Sequence, residues 1–192
     1  AVRSHARRAG LLALGLAAAA ACRTARPPPE APPEIEDYAP FAIGNAWTYA
    51  VRFPGQSGEH TVRITGRDEV GYWLDDAGGA FRITKKGLRD RKRYLLRRPL
   101  EPGTTWRAVV SASAVERYRI TSVGEPCETR AGRFADCVVV ESTLRRDAKV
   151  SLRVRFTWAR DVGLAKVETA ALVEGEGEIP QTEQSLLRYA LA

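Results

Sequence analysis

An all-β, mainly antiparallel domain is what this sequence predicts: a single curved meander sheet, half-barrel or barrel, of about nine or ten strands. Three observations predict it. VSLRVRFTW alternates without a break, Val150, Leu152, Val154, Phe156 and Trp158 against Ser151, Arg153, Arg155 and Thr157. That is the period of a strand with one apolar and one solvated face. The apolar runs are separated by short connections that nearly all contain Gly, Pro or Asp. Past the N-terminal apolar run, no segment shows a convincing helical period over about ten residues.

Taken in order, strands are expected at 46–53 (AWTYAVRF), 60–65 (HTVRIT), 69–76 (EVGYWLDD) and 80–84 (AFRIT). Six more follow at 105–110, 115–123, 134–143, 150–158, 163–173 and 185–191. The first runs into the turn PGQSG, and the third into AGG. Arg89–Arg98 is too basic for a period to be assigned. Trp47 and Tyr49 lie two apart, so they share a strand face and are expected to line the core. Short connections favour each strand pairing with the next, as in a meander. No internal repeat is visible.

The N-terminal residues read differently. Thirteen uncharged residues run from Ala9 to Ala21, most of them alanine. About twenty apolar residues are needed to cross a bilayer, so this run is too short. The basic flank RSHARR before it completes the pattern of a secretory signal peptide. Ala19-Ala20-Ala21 directly before Cys22 resembles the lipobox of bacterial lipoproteins, with Ala19 where leucine is usual. That resemblance implies cleavage after residue 21, diacylglycerol on Cys22 and attachment to a membrane through an N-terminal lipid. Arg23, rather than aspartate, follows the cysteine. In lipoproteins of two-membrane bacteria this implies the outer membrane. The alternative is a plain signal peptide cut nearby.

Residues 23–37 read RTARPPPEAPPEIED, five of them proline. Such a segment favours extended polyproline II and spans roughly 45 Å at ~3.1 Å per residue. The expected organisation is therefore a signal at 1–21, a lipidated, proline-rich tether at 22–37 and one β domain at 38–192. A domain of that length can bury a real core. Removing the signal lowers Lys plus Arg from 30 to about 27 against 23 acids, so the domain is only mildly basic.

Three cysteines are present. Lipidation of Cys22 leaves Cys127 and Cys137, in CETRAGRFADC, as a pair. A three-residue loop Ala131-Gly132-Arg133 would set them opposite each other, within the reach of a disulfide. In an oxidising compartment the disulfide is expected over two buried thiols.

Four segments together resemble a known group. FAIGNAWTYAV (41–51), PLEPGTTW (99–106), TRAGRFADCVVVE (129–141) and FTWARDVGLAKVE (156–168) follow the order and spacing of the TapB-like family of uncharacterised bacterial lipoproteins and exported domains. Its members read approximately PLxxGNxWxY, PLxxGxxW, TxAGxFxDC and YxxGVGLVK. The resemblance covers nearly all of 38–172. Asp161 departs from it, standing where proline or glycine usually precedes the valine. The resemblance implies a fold and no activity: an antiparallel sheet, distantly like the half-barrels of the lipoprotein carriers LolA and LolB.

No enzyme is expected. Past the signal the chain has one histidine, His60, so no triad or metal site has its imidazoles. No Walker, G-x-G-x-x-G or G-x-S-x-G pattern is present. No cofactor and no metal are expected. Nucleic acid is not an expected partner for an exported, tethered domain.

The one strong charge cluster is KKGLRDRKRYLLRR (85–98). Lys85, Lys86, Arg89, Arg91, Lys92 and Arg93 form a candidate contact for an anionic surface. The alternative is a solvated strand whose side-chain stems cover apolar surface. Two functional readings follow. One is a non-catalytic envelope lipoprotein with a structural or partner-binding role. The other is a module whose concave sheet face holds a lipid or another hydrophobic ligand. They part on whether the apolar face of 150–158 is fully packed.

Overall fold

Twelve strands form, because part of the basic stretch 85–98 is itself strand. The computed structural model describes residues 32–192; the expected signal, Cys22 and the chain up to residue 31 lie outside them. A 3₁₀ turn at Ile35–Tyr38 leads into β1 (Ala46–Phe53), β2 (Gln56–Arg67), β3 (Trp73–Asp75), β4 (Ala80–Thr84), β5 (Gly87–Arg89) and β6 (Tyr94–Arg97). Then come β7 (Thr105–Ser111), β8 (Ala114–Thr129), β9 (Gly132–Arg145), β10 (Val150–Ala159), β11 (Gly163–Val173) and β12 (Gly177–Ala190).

Each strand pairs antiparallel with its successor except at one step, and β12 returns to pair with β1. The sheet order is β6-β5-β4-β3-β2-β1-β12-β11-β10-β9-β8-β7. This is an up-and-down barrel open at one seam, between β6 and β7. The expected meander is therefore nearly closed. The seam is bridged by a side chain: Trp106 Nε1 donates to the Tyr94 carbonyl at 2.9 Å. That bond ties the two edge strands together at one point.

The expected strand at 69–76 shrinks to β3. Asp68 explains why. Its Oδ1 accepts from the Tyr72 amide at 2.7 Å, and the Gly71 amide donates to the Asp68 carbonyl at 2.9 Å. This local turn competes with the ladder. The disulfide is also made in a different register. The hairpin turns at Arg130-Ala131, and Thr129 pairs with Gly132. Cys127 therefore faces Phe134, while Cys137 faces Glu125. Register shifts between Ile120 and Cys127 bring the two cysteines together, with Cα atoms 6.0 Å apart and the sulfurs bonded.

One end of the barrel is capped by the 3₁₀ turn. Ile35 and Tyr38 are fully buried there, so the packed chain reaches into the proline-rich stretch. The Tyr38 hydroxyl donates to Asp136 at 2.7 Å. Arg160 holds the carboxylates of Asp37 and Asp136 at 2.9 and 3.0 Å. The Asp161 amide donates to the Asp37 carbonyl at 2.6 Å. Asp161 itself takes φ 59°, a conformation that costs an L residue and suits glycine. Strand direction then places the β1–β2, β5–β6, β7–β8, β9–β10 and β11–β12 turns at the opposite end. The wall is uneven: β3 to β6 run three to five residues, β8 to β12 ten to sixteen.

Candidate functional site

The barrel interior holds a cavity of ≈ 280 Å³. Period two places its walls. On β1, Trp47 and Tyr49 point inward; on β2, Val62 and Ile64; on β10, Phe156 and Trp158. Phe81 of β4, Leu95 of β6 and Leu164 of β11 complete the apolar lining. Phe41, from the segment before β1, sits against this wall. Its ring stacks on Phe81 with centroids 5.6 Å apart and meets Trp47 edge-on at 6.5 Å. Such aromatic pairs add to the gain from burial.

The polar groups of the lining are few. The Tyr49 hydroxyl donates to the Leu164 carbonyl at 2.9 Å, and burial, with Asp75 nearby, pushes its phenol far above the ordinary range. Trp47 Nε1 donates to the Val162 carbonyl at 2.6 Å. The indole N–H of Trp158 is buried and has no hydrogen-bond partner among the described residues. Asp75 is occupied by its own turn, accepting from the Ala77 amide at 3.0 Å.

On the seam side, the β5–β6 turn carries an interior ion cluster. Arg93 binds Glu116 at 2.5 Å and Asp90 at 3.3 Å. The Tyr118 hydroxyl donates to the same Glu116 carboxylate, and burial, reinforced by that bond, pushes its phenol well up. Burial alone would lower the Arg93 pKa. The bond to Glu116 and the surrounding negative charge outweigh it, so the guanidinium stays charged. Asp90 and Arg93 both line the cavity.

The basic run 85–93 does not form one patch. Lys85 and Lys86 lie in the β4–β5 turn at the capped end, both exposed. Lys92 lies in the β5–β6 turn at the other end, and its backbone amide donates to Asp90 at 2.7 Å. Arg89 stacks over Tyr94 at 5.4 Å, and its Nε donates to the Asp90 carbonyl at 3.0 Å. Arg91 covers Tyr72 and pairs with Asp68 at 3.4 Å. Arg93 turns into the barrel. The side chains bend to whichever acid or ring the turn supplies, which residue spacing alone does not show.

Of the apolar stripe on β10, Trp158 alone is buried; Val150, Leu152, Val154 and Phe156 are half-buried. His60 stands exposed opposite Tyr49. Among the described residues, no group of three His, Cys, Asp or Glu side chains is placed to hold a metal. Phe41, Glu116 and the inward turn of Arg93 were not legible in the sequence. The signal in the sequence was the one acid of VERYRI, Glu116, which shares the inward phase of Tyr118 and Ile120.

No protein-family model matches the chain, and no curated protein is similar to it. Two solved structures resemble it. One is a protein from Bacteroides fragilis described as exported, with a YmcC-like fold; at 14% identity it covers 78% of this chain and 97% of its own, with a TM-score of 0.46. The other, from Parabacteroides distasonis, is described as a lipoprotein; at 10% identity it covers 78% of this chain and 96% of its own, with a TM-score of 0.41. Neither likeness bears on what this chain binds.

Proposed function

We propose that this chain is a lipid-anchored, non-catalytic binding module of the cell envelope, exported by its signal, tethered through Cys22 and placed at the outer membrane. Its barrel holds one apolar group of a ligand. The observation that carries the reading is the cavity itself. Its lining is mainly aromatic and aliphatic, with Asp75, Gln184 and the Asp90–Arg93 cluster as its few polar groups, the usual make-up of a small-molecule site. At ≈ 280 Å³ it is small among ligand sites. It therefore fits a single alkyl tail or ring system rather than a two-tailed lipid. Phe156 and Trp158 of the apolar stripe on β10 line this cavity, which supports the ligand reading over the purely structural one. Three sequence features support the envelope location: the lipobox-like segment, Arg23 and the disulfide-forming cysteine pair.

The test uses residues 32–192, a compact unit by themselves, exported to a periplasm and purified without detergent. Native mass spectrometry is expected to show a co-purified small amphiphile at fixed stoichiometry. Val62→Trp, which narrows the cavity, should remove it. A bare protein that also fails to bind the fluorescent probe N-phenyl-1-naphthylamine would leave the structural reading in its place. In the full chain, Cys22→Ser should release the protein from membranes.

A further inference from the structure

We infer that the outward face of β7, β8 and β9 is a docking surface for an anionic phospholipid membrane. The inference is independent of the cavity. Two arginines face each other across the β7–β8 ladder: Arg107 of β7 is directly opposite Arg117 of β8. Like charges so placed destabilise a sheet. Arg119 is two residues along β8, on the same face, opposite Thr105. Arg145 of β9 extends the row, its register partner on β10 being Ser151.

All four side chains are exposed. Among the described residues Arg107, Arg117 and Arg119 have no ion pair and no side-chain hydrogen bond. Arg145 reaches only the carbonyls of Asp147 and Ala148. The acid that faces Arg119 across the β8–β9 ladder is Glu141. It is taken by Arg155, which binds it through two nitrogens at 3.0 and 2.7 Å. The positive face is thus left without its natural counter-charge, whereas the neighbouring outward arginines Arg153 and Arg155 are both paired.

The second observation lies at the tip of the same hairpin. Val109 and Val115 face each other on this outward side. Val109 is 72% exposed and Val115 41%. An exposed aliphatic pair above a ladder of uncompensated guanidinium groups matches a bilayer surface in both chemistries. The arginines meet lipid phosphates and the valines meet the acyl boundary. A soluble polyanion would use the arginines alone. The tip also points to the end opposite Pro32, where the described chain enters.

Co-sedimentation of residues 32–192 with vesicles tests the inference. Vesicles of phosphatidylglycerol and phosphatidylcholine in equal parts should bind the protein at low salt, with binding lost as salt rises. Vesicles of phosphatidylcholine alone should not bind it. Arg107→Gln with Arg117→Gln should weaken binding about thirtyfold, roughly fivefold for each arginine. The same variant relieves the like-charge pair, so its melting temperature should hold or rise; that pairs lost binding with an intact fold. Lys85→Gln with Lys86→Gln, at the capped end, should bind as the parent does. Val109→Ser with Val115→Ser should weaken vesicle binding yet leave binding to soluble polyphosphate unchanged. Equal binding to both vesicle types, or an unaltered Arg107/Arg117 variant, overturns the inference. Valine variants that bind vesicles as the parent does would assign the face to a soluble polyanion instead.

Discussion

Gly87 shows how little room single positions have in this barrel. It sits at the start of a three-residue strand with φ 145°. A Cβ there would stand 2.1 Å from the carbonyl oxygen of Leu96, which belongs to the neighbouring strand and cannot step aside as a side chain could. Gly87→Ala should therefore cost on the order of 3 kcal/mol, read as a fall in the denaturant midpoint. At Gly58, where nothing lies within 4 Å of a built Cβ, the same change should be far milder. The buried phenols of Tyr38, Tyr49 and Tyr118 act at this scale too. Each is raised first by burial. A phenol whose folded pKa lies above its unfolded value near 10 stabilises the fold fully below that pH. The contribution is lost as pH climbs above it. An absorbance titration should show these three ionising only together with unfolding. Their smooth ionisation in folded protein near pH 10 would contradict the burial assigned here.

At the scale of elements, the seam decides how the sheet behaves. β6 and β7 are joined by chain but not by a ladder, and Trp106 spans the gap. Its ring also stacks on Tyr118 with centroids 5.1 Å apart. Trp106→Phe keeps most of that stacking and removes the bond to Tyr94, leaving a carbonyl unpaired. The expected loss is about 1–3 kcal/mol. Hydrogen exchange should localise the loosening to β6 and β7. Faster exchange spread evenly over all strands would mean that the seam is not a local weak point. The short β3 to β6 wall follows from its sequence. Asp68, Asp75 and Asp90 each close a local turn, so the chain reverses before a long strand can grow. The long strands β8 to β12 carry no such interruption.

For the molecule as a whole, the capped end and the opposite end do different work. The capped end concentrates fixed structure: the buried 3₁₀ turn, the Asp37–Arg160–Asp136 bridge and the disulfide. By loop closure, a disulfide joining residues ten apart is worth about 3 kcal/mol. The opposite end has the β5–β6 turn with Arg93, the start of the half-buried stripe of β10 and the Val109–Val115 tip.

Period two and turn chemistry by themselves determined the fold class. β1, β4 and β11 run between the limits expected from the sequence, because alternation and a flanking turn both mark them. Local signals also determined the cysteine pair and the inward aromatics Trp47 and Tyr49. Tertiary structure alone decided closure, since the β12–β1 pairing joins residues at opposite ends of the domain and leaves no local trace. It decided that β5 and β6 are strands at all. Their residues are too basic to show a period and become legible only when Leu88, Leu95 and Leu96 are seen buried in the core. It also decided which arginines are neutralised. A guanidinium reaches several ångströms from its own Cα, so its partner is set by the neighbouring strand. Arg93, in the basic run, turns inward to Glu116, while Arg107 and Arg117, unremarkable in sequence, are set face to face by the register of β7 on β8.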